Sequence, residues 1–244
     1  MKSPPRSKQS TVSSVGRMGT GSKKVAERGT PSRRQKQIYV EAARLFMEKG
    51  FGSTSMSDLA EAVKLTKAGL YHSISSKEDL LFTVIQFGMD DFDDQVLNPA
   101  LEIADPCSRL QMALALHVLN VTRVGDPAGN AGNPVTTIVD QVQGLSPARQ
   151  RIVARRKYQY IVFLRDTLDE LRKQGRLLDN LDTTVAALSL SAMVLGIAKW
   201  RRPGGRLAVA QISEQVVGMA LHSVLKPEVV ARAMRDPPVL RESS

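Results

Sequence analysis

Residues 55–80, SMSDLAEAVKLTKAGLYHSISSKEDL, constrain the fold more tightly than any other part of this 244-residue chain. Met56, Leu59, Ala60 and Val63 recur at helical spacing and then the pattern breaks. A second helical start opens at Thr66 and a third at Ser76. Ser55 with Asp58, and Ser76 with Asp79, each set a hydroxyl three residues ahead of an acid. That is the reciprocal arrangement that caps a helix N-terminus, with Asp replacing the usual Glu or Gln. The spacing predicts helices over 56–63, 67–73 and 77 to about 97, the last ending before Asn98-Pro99. The middle helix presents small, basic and hydroxyl-bearing side chains: Lys67, Ala68, Gly69, Tyr71 and His72. Short side chains near its start let the backbone approach the floor of a DNA major groove, where Lys67 reaches guanine O6/N7 or a phosphate.

A helix over about 32–49 precedes this unit. Pro31 leads into it, Ile38, Ala42, Leu45 and Phe46 share one face, and Gly50 ends it. From Arg33 to about Asp94 the chain resembles the DNA-binding domain of the TetR family of bacterial transcriptional regulators. The resemblance rests on Ala42, Ala43, Leu45, Phe46, Gly50-Phe51, Thr54, Leu59-Ala60, Val63, Leu65-Thr66, Leu70-Tyr71-His72 and Ser76-Lys77-Glu78-Leu80. It implies that Tyr71 and His72 meet the phosphate backbone. Thr54 and Ser55 offer hydroxyls and a helix N-terminus to a phosphate, and Lys77 anchors the other side. Singly, each has a plainer role: Tyr71 as a half-buried strut, His72 as a solvated side chain, Thr54 and Ser55 as caps, Lys77 as a surface charge. The family usually has a glycine near Lys64, where positive φ is easy. A lysine there costs backbone energy and adds a candidate phosphate contact.

Charge is placed unevenly. The chain holds 34 Lys/Arg and 24 Asp/Glu; residues 1–36 carry ten and one of these, which leaves 24 and 23 for the rest. Low hydrophobicity with Ser, Gly, Pro, Lys and Arg marks residues 1–30 as a disordered basic tail. Such an arm either adds DNA contacts or is a solvated extension, with Met18 as an alternative start. A single cysteine, Cys107, excludes an intramolecular disulfide and fits a reducing compartment. Residues 1–30 lack the apolar segment of a secretory signal. The most apolar stretch, 185–200, is interrupted by Ser189, Ser191, Gly196 and Lys199, and falls short of a membrane span. The expectation is a cytoplasmic protein with no membrane partner.

With 42% hydrophobic but only 5% aromatic residues, and no alternating strand pattern, the fold class is all-α. Punctuation predicts helices over about 106–123, 135–142, 147–174, 182–200 and 207–225, with a loop at 125–134. The domains are then a tail at 1–30, a three-helix helix-turn-helix domain at 31–94, a helical ligand-binding and dimerisation domain at 95–226, and a flexible C-terminal tail at 227–244. The resemblance implies that the last two long helices pair with a second subunit. Ala186, Ala187, Ser189, Ser191, Ala192 and Gly196 are small enough for close approach, and Ile212, Val216, Met219, Ala220 and Val224 follow on the next helix. A helix apolar nearly all round also fits the core of a monomer.

The resemblance further implies a ligand pocket between these elements. Leu110, Leu114, Val118, Tyr158, Ile161, Val162, Met193, Ile197 and Trp200 are its candidate apolar lining, with His117 and Arg165 as polar handles. Residues 200–207, WRRPGGRL, are similar to a segment of regulators that respond to acyl-CoA thioesters, so Arg201, Arg202 and Arg206 become candidates for nucleotide phosphates. A solvated basic turn is the simpler reading. Asp90, Asp91, Asp93 and Asp94 have no His or Cys nearby and read as a solvated face, so no metal and no cofactor is expected. No nucleophile motif accompanies the three histidines, which argues against an enzyme. The combined expectation is a homodimeric repressor released from a palindromic DNA operator by a small hydrophobic effector, an acyl-CoA among the candidates. An activator or architectural DNA-binding protein without a ligand is the alternative.

Overall fold

A computed structural model describes residues 31–123, 138–202 and 204–235, with the side chains of His72 and Ser73 excepted. The basic tail at 1–30, the loop at 125–134 and residues 236–244 lie outside the described residues. Helices make up the fold, and the one β-type pairing among the described residues is an isolated Leu177–Leu225 bridge.

Three short helices build the N-terminal unit: α1 (Arg33–Lys49), α2 (Met56–Ala62) and α3 (Lys67–Ser73). Each starts where a side chain takes over an orphan backbone donor. Ser32 and Ser55 form full capping boxes with Gln35 and Asp58, and Thr66 accepts from the Gly69 amide. The Ser55 hydroxyl and amide, with Lys49, hold the Asp58 carboxyl well below its usual range. Ala42, Ala43, Leu45 and Phe46 of α1 pack with Leu59, Ala60 and Leu70 into a small core.

α4 (Lys77–Phe92) runs from this core into a second one. Its Leu80, Leu81, Val84, Ile85 and Met89 belong to the first, whereas Val96, one turn past its end, belongs to the second. Residues Asp93–Leu97 form a π-helical turn that leads into α5 (Asn98–Leu101), so the helix does not stop before Asn98-Pro99 as expected. Pro99 sits at the start of the new segment, where a missing amide donor costs least.

The second core is made by α6 (Pro106–Thr122), α7 (Pro147–Lys173), α8 (Thr183–Trp200), α9 (Val209–Val224) and α10 (Pro227–Arg235). Of the short helix expected over 135–142, residues 135–137 lie outside the described residues, and the remainder falls in two 3-10 turns, Ile138–Asp140 and Val142–Gly144. The expected flexible tail from 227 begins instead as α10, whose Val230 and Ala233 are buried against the core. α8 is long and apolar enough to cross a membrane by length and composition. Here Ala186, Ala187, Leu190, Val194 and Ile197 bury one of its faces in the core instead.

Ion pairs tie α7 to α4. Arg149 reaches Glu78 and Asp79, and Arg156 donates to Gln86 Oε1 at 2.7 Å, Asp90 at 2.5 Å and Asp93 at 2.6 Å. Asp91 takes Arg123, and Asp94 accepts from Asn98. The acidic run read as a solvated face is therefore a set of ion-pair and hydrogen-bond partners. Among the described residues no group of His, Cys, Asp and Glu could hold a metal ion.

Candidate nucleic-acid interface and effector cavity

The turn between α2 and α3 is a complete Schellman closure. Lys64 N–H donates to the Glu61 carbonyl at 3.0 Å and Leu65 N–H to the Ala60 carbonyl at 2.8 Å. This closure requires a left-handed residue at its centre, and Lys64 takes φ 53°. The lysine thus occupies the position a glycine would fill, with its side chain exposed. The turn fixes α3 with Leu70 inward at 1% exposure and Lys67, Ala68 and Tyr71 outward, Tyr71 at 45%. A Cβ on Gly69 would come 3.1 Å from the Thr66 hydroxyl that caps the helix, so the small residue preserves the cap. His72 lies on α3, but its side chain is outside the described residues.

Two predicted contacts are repositioned. Thr54 is 1% exposed and its hydroxyl donates to the Gly50 carbonyl at 2.8 Å, so it closes the turn after α1 and cannot offer that hydroxyl to a phosphate. Lys77 folds back over the same turn. Its ammonium donates to the Phe51 and Thr54 carbonyls, both at 2.8 Å, and sits 4.4 Å from the centroid of the Phe51 ring. A cation at a helix N-terminus opposes the helix dipole; the carbonyls offset that. Lys77 is therefore an internal clamp in this conformation. Ser55 remains exposed, with its hydroxyl engaged by Asp58. The outward surface is Ser55, Lys64, Lys67, Ala68 and Tyr71.

A cavity of about 100 Å³ lies where α4, α6, α7, α8 and the first 3-10 turn meet. Met89, Phe92, His117, Val139, Tyr160 and Leu195 are among its walls, with Arg156 and Lys157 at the α7 side. Phe92, His117 and Tyr160 meet edge to face, with ring centroids 4.9–5.1 Å apart and interplanar angles of 83–89°. His117 Nδ1 and the Tyr160 hydroxyl are buried without a hydrogen-bond partner among the described residues. Burial pushes the His117 pKa down to about 3 and the Tyr160 pKa up, so both groups are neutral at pH 7. Two neutral, orphaned polar atoms at one apolar cavity are an arrangement that a bound molecule would complete.

Of the predicted pocket residues, His117 lines this cavity. Leu114, Val118 and Ile197, together with Leu110, are fully buried and pack against one another. Tyr158 and Trp200 are 51% and 55% exposed, and Arg165 pairs with Asp166 at the surface. Val162, Met193 and Ile161 are half-buried away from the cavity wall. Arg201 donates to the Thr122 carbonyl at 3.3 Å; Arg202 and Arg206 are exposed.

Two family models match in succession. Residues 38–84 match "Bacterial regulatory proteins, tetR family" and residues 104–224 match "Tetracyclin repressor-like, C-terminal domain". The crystal structure of AibR in complex with isovaleryl coenzyme A and operator DNA is 39% identical, with a TM-score of 0.68 over 76% of this chain and 97% of that one. The chain belongs to the TetR family.

Other members are similar at lower identity. The transcriptional repressor KstR2 of Rhodococcus jostii (strain RHA1) is 26% identical over 204 residues, 80% of this chain and 93% of the relative. The regulator PfmR from Thermus thermophilus is 27% identical with a TM-score of 0.63, covering 76% and 97% of the two chains. As a TetR-family regulator, this chain has α2 and α3 as its helix-turn-helix, and its all-α C-terminal domain is the second family domain. Sequence reasoning missed Phe92 and Tyr160 at the cavity. An aromatic at the end of α4 and one two residues beyond Tyr158 were visible signals, but only packing brings them together with His117.

Proposed function

We propose that this TetR-family regulator is a homodimeric repressor released from a palindromic operator by a small ligand held in the aromatic cavity. The carrying observation is the α3 surface: Lys67, Ala68 and Tyr71 point outward from a helix whose opposite face is buried. Lys67 supplies base-edge or phosphate contact, and Tyr71 and the exposed Lys64 supply phosphate contact.

Dimerisation is supported by the exposed face of α8. Val185, Leu188, Ala192 and Leu195, at 60%, 50% and 37% exposure for the three large ones, form a stripe with Ser189 and Gly196 beside it. Of the residues expected to face a partner, Ala186, Ala187, Ser191, Ile212, Val216, Ala220 and Val224 are buried within the protomer, and Met219 stays exposed at 57%. A two-fold pairing of the α8 stripes covers the apolar surface and sets the spacing of two α3 helices on DNA.

An acyl-CoA effector is supported by the likeness to AibR, which was crystallised with isovaleryl coenzyme A. Ligand entry acts on the cavity walls Phe92 and Val139, and so on α4 and the 3-10 turns that touch the DNA-binding unit.

The test begins with an operator selected from random duplex DNA by the purified protein. Lys67→Ala and Tyr71→Ala should each weaken binding about tenfold while the dimer persists in sedimentation. Leu188→Asp should yield monomers. Unchanged affinity in both α3 variants would overturn the placement of the reading helix.

A further inference from the structure

We propose that the effector is bipartite: a short acyl thioester whose neutral carbonyl meets His117 and Tyr160, and whose phosphate-bearing part lies along Arg151 and Arg155 of α7. This rests on the effector reading above and goes beyond it by assigning each part of the ligand to residues of this chain.

Cavity size limits the head. A cavity of about 150 Å³ holds the six carbons of benzene, so one of about 100 Å³ takes roughly four non-hydrogen atoms, the alkyl part of a short acyl group beyond its carbonyl. A short or branched chain fits and a long fatty chain does not. Polarity limits it further. His117 and Tyr160 are both uncharged, and their orphaned atoms are surrounded by aromatic rings. The Tyr160 hydroxyl can donate to a carbonyl oxygen, and His117 can donate to it as well in the tautomer that carries its proton on Nδ1. A free carboxylate would bring a negative charge into a largely apolar site whose two wall cations are already paired. Lys157 and Arg156 at the wall already face Asp140, and Asp90 and Asp93, respectively. The site therefore selects an ester over the acid.

The other half of the ligand is indicated by uncompensated charge. Residues 147–157 carry five basic side chains and no acid. Three have acidic partners: Arg149, Arg156 and Lys157. Arg151 and Arg155 are exposed and have none among the described residues. They lie four residues apart, on one face of α7, where like charges repel. Together with Ile152, Arg156 and Gln159 they line an open groove of about 410 Å³. Arg156 is common to this groove and to the aromatic cavity, so the two adjoin along α7. Paired guanidinium forks suit phosphates, and Ile152 and Gln159 add apolar and hydrogen-bonding surface for the linker between the two parts. Arg202 and Arg206, also exposed, are the competing location.

Calorimetric titration of the full-length protein tests both halves. The probes are 3-methylbutyryl coenzyme A, its truncated N-acetylcysteamine thioester, 3-methylbutyrate, palmitoyl coenzyme A and coenzyme A alone. The short-chain coenzyme A thioester should bind at least about tenfold more tightly than the truncated thioester, and the free acid and the long-chain thioester should bind weakly or not at all. Arg151→Ala/Arg155→Ala should reduce the full thioester to the affinity of the truncated one and leave the truncated one unchanged. Tyr160→Phe should weaken both. Full-thioester affinity unaltered in the double arginine variant, or equal binding of acid and ester, would overturn the proposal while leaving an effector site in place. Failure of every probe to bind a folded, operator-competent protein would sink the effector reading itself.

Discussion

Gly144 and Phe51 are packed so closely that a Cβ on the glycine would stand 2.5 Å from Phe51 Cδ1, and 2.8 Å from Leu81 Cδ2. Gly144 ends the second 3-10 turn, whose neighbours Val139 and Asp140 wall the cavity, whereas Phe51 lies beneath the Lys77 clamp of the DNA-binding unit. One short segment therefore touches both the cavity and the reading head. Gly144→Ala must push the ring aside, at an overpacking cost of about 1–3 kcal/mol. Urea unfolding should show a lower midpoint, and operator affinity should fall with it. An unaltered midpoint would contradict the contact.

Lys77 and Lys67 should separate stability from recognition. Lys77→Met deprives the Phe51 and Thr54 carbonyls of a charged donor. Hydrogen bonds to a charged group contribute about 1.5–3 kcal/mol, so the N-terminal unit should be destabilised by roughly that amount. Lys67→Ala removes an exposed side chain and should change stability by less than about 0.5 kcal/mol while weakening DNA binding. Parallel thermal melts and operator titrations check both; equal stability of the two variants would reject the clamp.

Lys64 holds φ 53°, a conformation that costs an L-residue about 1–2 kcal/mol. Lys64→Gly relieves that strain and loosens the unfolded chain, for a net gain of roughly 1 kcal/mol. The melting temperature should rise although a candidate phosphate contact has been lost. A lower melting temperature would show that the lysine side chain stabilises the turn.

His117 makes stability fall toward acid. Its folded pKa is about 3 against an ordinary 6.5, because burial disfavours the imidazolium. Below pH 6.5 the unfolded chain binds a proton that the folded chain refuses. Stability is therefore complete above about 6.5 and declines as pH drops toward 3, by up to ~1.4 kcal/mol per pH unit. Between about pH 7 and pH 5 the natural chain should lose about 2 kcal/mol more than His117→Phe. Equal losses would mean that His117 is protonated in the fold.

The helix-turn-helix was legible because its signals are local. Caps at Ser55, Thr66 and Ser76 and the apolar spacing within 56–70 each act over three or four residues, and neighbours later in the chain do not override them. The cavity was legible only at His117. On α7 two stripes compete: Tyr158, Val162 and Arg165 at one phase, and Val153, Tyr160, Leu164 and Leu168 at another. Periodicity announces a buried face, but it does not say which of two plausible stripes is buried. Exposure of Tyr158 and burial of Tyr160 decide it.

By itself, then, the sequence determined the all-helical class, the N-terminal reading unit and the unusual lysine in its turn, because backbone capping and helical period are properties of adjacent residues. Tertiary structure decided what those residues are free to do. Thr54 and Lys77 have the chemistry of phosphate contacts, yet turn carbonyls contributed by Gly50, Phe51 and Thr54 occupy them. Phe92, His117 and Tyr160 come from three helices, and only their packing turns three scattered rings into a cavity with two unpaired polar atoms. A hydrogen-bond donor or an apolar face takes its role from whatever the fold sets against it, and that partner lies far away along the chain.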